Sequence, residues 1–132
     1  MRKRLLQALT RLASVPYQDA YIVGGTTDSY ALPEDIVEEV ASLCTLADKD
    51  QYGNQFDPRQ QSALTALLET IRSNGPAIFA RGKSPSAKDL IHSNQRWAAM
   101  RSEAGRCLLA FGIDIAKVLP QEIDDNKELF SD

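Results

Sequence analysis

Along most of the chain, apolar residues recur at spacings of three and four, and the clearest run is Asn94 to Phe111. There Trp97, Met100, Ala104, Cys107, Leu108 and Phe111 gather on one face of a 3.6-residue helix. Arg96, Ser102, Glu103 and Arg106 fall mostly on the other side, and Gly112 follows where a left-handed residue can end the helix. This stripe carries the only Trp in the sequence, and the other apolar stripes are expected to pack on it.

Residues 2–14 predict a first helix with Leu5, Leu6, Leu9, Leu12 and Ala13 inward, ended by Pro16. Tyr17 to Ala31 is the least regular stretch, with Tyr21-Ile22-Val23 as a short strand and Gly24-Gly25-Thr26-Thr27-Asp28 as a turn. Pro33 suits the first position of a second helix, where its missing N–H costs nothing, and Glu34 and Asp35 complement the positive end of the helix dipole. Its buried face is Ile36, Val37, Val40, Leu43, Cys44 and Ala47.

Asp57-Pro58-Arg59-Gln60 has the form of a capping box opening a third helix that buries Leu64, Leu67, Leu68 and Ile71 and stops at Gly75-Pro76. Ala77-Ile78-Phe79-Ala80 either pairs with the Tyr21 segment or plugs the core. Arg81 to Ser86 reads as a basic loop, with Ser84-Pro85 capping a short helix that reaches about His92. Beyond the long helix, Ile113 to Leu119 supplies one more apolar segment, and residues 120–132 form an acidic end expected to fray. The expectation is one mainly α domain over residues 1–132, a bundle of five or six helices with at most a two-stranded element from residues 20–24 and 77–80.

Composition sharpens this only in places. With 132 residues, 43% hydrophobic and 25% charged, the chain matches one folded, soluble unit. Cys44 and Cys107 lie in helical apolar patterns without metal-binding spacing, so they read as buried free thiols in a reducing compartment. The basic start Met1-Arg2-Lys3-Arg4 is not followed by the apolar run of a signal peptide, because Gln7, Thr10 and Arg11 interrupt it. No apolar run approaches the length of about 20 residues that crosses a bilayer, so a cytoplasmic protein without a membrane partner is expected.

Charge is arranged in blocks. Residues 1–15, 16–58, 59–117 and 118–132 carry +4, −8, +5 and −4 within a net −3. Part of this is expected to cancel inside the fold, yet acids concentrated in one stretch can leave an acidic surface, which suits a basic protein and repels nucleic acid.

Motifs for catalysis or metal binding are thin. His92 is the only imidazole, and a dyad with Cys107 would place a thiolate on an apolar stripe that disfavours it. Gly24-Gly25 lacks the spacing of a phosphate cradle. Asp48 to Asn54 resembles a calcium loop only at first, because Tyr52 and Gly53 displace the third ligand and the fixed glycine. Trp97 between Arg96 and Arg101 could stack a base, but it sits on the apolar stripe in an acidic chain. No catalytic residue, metal site, cofactor or nucleic-acid partner is therefore expected.

The remaining candidate is the acidic run. Glu34, Asp35, Glu38 and Glu39 crowd the outer side of the second helix without an opposite charge at helical spacing, and Asp48, Asp50 and Tyr52 follow it. The Pro33-Glu34-Asp35-Ile36-Val37-Glu38-Glu39 helix, the acidic end Glu122 to Asp132 and the Trp97 to Gly112 helix together resemble the small cytoplasmic immunity proteins that bacteria encode beside contact-dependent or polymorphic toxins. That resemblance implies a non-catalytic inhibitor covering the active site of a basic, nuclease-type toxin, with exposed aromatics such as Tyr52 or Tyr30 as packed anchors. Two other classes stay open: a helical scaffold or assembly subunit, and a small-ligand domain using the Tyr17–Tyr30 loop and His92.

Overall fold

The computed structural model describes residues 2–25, 31–80 and 85–125, and among them are seven α-helices and no strand. They are α1 (Arg2–Ala13), α2 (Val15–Gln18), α3 (Pro33–Ala47), α4 (Pro58–Ile78), α5 (Ala87–Ser93), α6 (Gln95–Ala110) and α7 (Pro120–Asp125). The long helices close a ring: α6 lies along α4 and α1, α1 on α3, and α3 on α4. The mainly α bundle expected from periodicity is what forms. No helix among the described residues is long and apolar enough to cross a membrane.

The predicted stripe of α6 is the centre of the core. Trp97, Met100, Ala104 and Leu108 are fully buried, against Leu5, Leu9 and Leu12 of α1 and Leu67 of α4. Each leucine or methionine side chain withdrawn from water in this way contributes about 1.5–3 kcal/mol to folding. The helix closes on Phe111 and Gly112. Gly112 has φ +80, its N–H donates to Leu109 O at 3.0 Å, and the Ile113 N–H donates to Leu108 O at 3.0 Å, a Schellman motif.

At the same end of the bundle, Asp57 and Gln60 form the capping box of α4. The Gln60 N–H donates to Asp57 Oδ1 at 2.8 Å and the Asp57 N–H to Gln60 Oε1 at 3.0 Å. The Gln60 amide also donates to Ala110 O at 3.3 Å, which ties the start of α4 to the end of α6.

Five expectations are corrected here. The two-stranded element does not form. Residues 20–24 belong to a turn of π-helix over Asp19–Val23, sealed by Gly24 N–H donating to Asp19 O at 2.8 Å, and residues 77–78 finish α4. Nor does α4 stop at Gly75-Pro76. A proline disfavours helical geometry partly by meeting the Cβ of the residue before it, and Gly75 has none, so the chain runs on to bury Ile78.

Pro16 marks a junction, not a stop: Ser14 caps α2 by accepting the Tyr17 N–H at 3.1 Å, and Pro16 occupies the first turn, where no N–H is needed. The cap of α5 is likewise Ser86, which accepts the Asp89 N–H at 3.2 Å. The acidic end is partly built into the bundle, since Ile123 of α7 is fully buried and its carbonyl accepts from Gln7 Nε2 at 2.8 Å. Residues 26–30, 81–84 and 126–132, on which the turn, Tyr30, much of the basic loop and the last acids fall, lie outside the described residues.

Candidate functional site

The acidic face belongs to α3. Its apolar positions Ile36, Val37, Val40, Leu43 and Cys44 turn into the bundle, which leaves Glu34, Asp35 and Glu38 exposed. Among the described residues none of these three carboxylates has an ion-pair partner. Glu34 and Asp35 lie in the first turn, where the unsatisfied N–H groups of the helix favour negative charge, whereas Glu38 lies one turn further with Glu34 at i−4.

Glu39 is engaged differently. It accepts from Arg4 Nε at 3.3 Å and lies 3.6 Å from Arg11 Nη1, so it is bound to α1. The first basic block and the acidic block thus cancel in part across the α1–α3 contact, and Glu34, Asp35 and Glu38 remain as the outward charge.

The other candidates lie apart. Asp48 caps the far end of α3, and at 1.5 Å per residue it stands about 20 Å from Glu34. Tyr52, in the 3-10 turn Asp50–Gln55, is half-buried and packs on the core. The side chain of Asp50 lies outside the described residues.

Beside the three carboxylates runs a groove that the sequence reading missed. Val37 and Ala41 of α3 form one wall, and Ile71, Gly75, Pro76 and Phe79 of α4 form the other, around a space of about 450 Å³ edged by Glu34, Glu38 and Arg72. A second hollow of about 280 Å³ continues from it past Glu34 and Phe79 to Leu32, Pro85, Ala87 and Leu90. Leu32, half exposed at 50%, extends the apolar surface at the end of α3. The groove exists because α4 passes through Gly75-Pro76. Had the helix stopped there, Phe79 would not stand opposite Glu34.

A third hollow of about 400 Å³ lies across the ridge made by Glu38, between Asp35, Glu39 and Leu46 of α3 on one side and Arg4 of α1 on the other. Glu38 therefore borders both spaces, with an apolar floor on one side and a salt-bridged one on the other.

The residues set aside for chemistry are accounted for by packing. Trp97 is fully buried and its Nε1 donates to Gln18 Oε1 at 3.1 Å, so it offers no stacking platform. Cys44 and Cys107 are buried free thiols. Burial pushes both up to about 12, with Cys44 and Glu103 adding to the effect at Cys107. His92 is paired with Asp19, Nε2 to Oδ1 at 2.6 Å, which holds α5 to the π turn.

Arg101 completes this corner by donating to Ile91 O at 2.9 Å. Its partial burial lowers its pKa, and the nearby Asp19 charge acts in the opposite sense. No group of three or more His, Cys, Asp or Glu among the described residues is arranged to hold a metal ion. Comparison of the chain with protein-family models, curated proteins and solved structures gives no match.

Proposed function

We propose that this chain is a non-catalytic protein-binding module of the immunity-protein kind, which neutralises a basic cognate toxin through the exposed face of α3. The observation that carries the reading is the division of labour on that helix. Glu39 is tied to Arg4 and Arg11, whereas Glu34, Asp35 and Glu38 face outward beside an apolar groove. Carboxylates placed so attract a cationic partner from a distance and raise its association rate, and the apolar floor supplies the area whose desolvation makes a complex last.

The test is capture from the native cells of the protein at low and moderate salt, followed by mass spectrometry. Wild type is compared with the triple variant Glu34→Gln, Asp35→Asn, Glu38→Gln. A basic protein held by the wild type, released by salt and lost by the triple variant supports the reading. Equal retention by both removes the acidic face from the mechanism. One observation favours an assembly subunit instead: Leu32, Leu109 and Leu119 are all at least half exposed. Sedimentation that shows self-association at high concentration would select that reading.

A further inference from the structure

We infer that the groove between α3 and α4 is a docking site for a basic amphipathic helix of the partner, seated with its apolar face on Ala41, Pro76 and Phe79 above the buried Val37 and Ile71, and its lysines or arginines against Glu34 and Glu38. The inference deepens the reading of α3 as a partner-binding face and rests on it. Three features of the groove define the occupant.

The first is backbone chemistry. Both walls are helices, and apart from the first-turn amides of α3 and the Arg72 carbonyl their backbone groups are engaged along their own axes, so the groove has no strand edge on which an extended peptide could add hydrogen bonds. An occupant lying on an apolar floor must satisfy its own backbone, and a helix does so. The second is shape. Val37 and Ala41 are one turn apart on α3, as are Ile71 and Gly75 on α4, so both walls repeat at the interval at which a helix presents its own apolar residues.

The third is charge. Glu34 and Glu38 edge the floor and Asp35 adjoins it in the neighbouring hollow, against the single cation Arg72 among the described residues of the larger space. The rim is thus net negative, and Arg72 on the α4 side favours one orientation of a helix that carries most of its positive charge towards α3. Pro76 adds a polar spot on that side, because it withholds the amide hydrogen that the Arg72 carbonyl would receive in an uninterrupted helix.

The probe is a fluorescein-labelled amphipathic peptide with leucines at spacings of three and four and lysines flanking them. Its controls are a scrambled peptide whose leucines share no face and a version with glutamate in place of lysine. Fluorescence anisotropy should show binding of the first peptide alone. Ala41→Trp, which fills the groove from a partly exposed position, should weaken binding about tenfold or more by excluding the helix. Glu34→Gln with Glu38→Gln should weaken it and flatten its salt dependence. On the wild-type protein, amide shifts on titration should centre on Val37, Ala41, Gly75 and Phe79, a readout that stands even if a variant loses its native helicity.

Absence of binding, equal binding of the scrambled or acidic peptide, or a natively folded Ala41→Trp protein that binds undiminished would overturn the assignment. A basic partner still captured by Ala41→Trp but not by the triple carboxylate variant would overturn the groove and leave the acidic-face reading standing. Peptide binding in the groove with no basic protein recovered from cells would do the reverse.

Discussion

The indole Nε1 of Trp97 donates to Oε1 of Gln18 at 3.1 Å across 79 positions of sequence, and both side chains are fully buried. The amide of the same glutamine donates to Arg11 O at 3.0 Å and Leu12 O at 2.6 Å, so one side chain ties the end of α1 to the first turn of α6. Replacing Gln18 by Leu strands the indole N–H and the carbonyls at once. The expected loss is about 2–3 kcal/mol, read as a lower urea midpoint by circular dichroism, and Trp97→Phe should cost less beside Gln18→Leu than it does alone, because the stranded indole donor goes too.

The buried thiols should be silent. Native protein at neutral pH should not react with Ellman's reagent, and both thiols should appear on denaturation. Their pKa is raised on folding from 9.0 to about 12, so below pH 9 this term does not vary. As pH rises through the window between those values, the unfolded chain sheds protons that the folded chain keeps, and stability falls. Urea midpoints measured near neutrality and at about pH 10 should show the drop, and a double variant with Cys44→Ala and Cys107→Ala should show a smaller one.

Gly112→Ala isolates a backbone effect. A Cβ there meets nothing within 4 Å, so only the left-handed φ of +80 opposes it, and the cost should be about 1–2 kcal/mol without structural change. Thermal melts of the two proteins, with matching circular dichroism, check both halves of the statement.

On α3, the carboxylates assigned to recognition should be dispensable for folding. Glu38→Lys turns a repulsive i,i+4 neighbour of Glu34 into an attractive one and should stabilise the protein by about 0.3–0.5 kcal/mol at low salt. Glu39→Gln, which removes the pairs to Arg4 and Arg11, should cost about 1 kcal/mol, since Arg4 is well exposed whereas Arg11 and Glu39 are only partly so. A melting temperature that falls on Glu38→Lys would show that Glu38 serves the fold instead.

Local chemistry made the long helices legible. The stripe of α6, the capping box at Asp57, the glycine at 112 and the proline at 33 each act within one or two turns, and each forms as the residues predict. What was hidden depends on partners far along the chain. Tyr21-Ile22-Val23 has the β-branched and aromatic character of a strand, yet the adjoining Gln18 is held by α1 and Trp97, and Asp19 by His92. Those contacts join positions more than seventy residues apart in two of the three cases, and no local rule anticipates them.

The groove was missed for a related reason: Gly75-Pro76 carries the local signature of a helix end, and only the burial of Ile78 beyond it draws the helix onward. The acidic face was visible in composition, whereas the capture of Glu39 by α1 required the fold.

Of the four helices in the ring, α3 packs on α1 and α4 but does not lie along the tryptophan-bearing α6, whose stripe holds the centre of the core. Variation can therefore accumulate at Glu34, Asp35, Glu38 and Ala41 while Ile36, Val40 and Leu43 keep the inward face. On the reading proposed for α3, one partner could be exchanged for another by rewriting a few outward letters of a single helix, with the packing beneath unchanged.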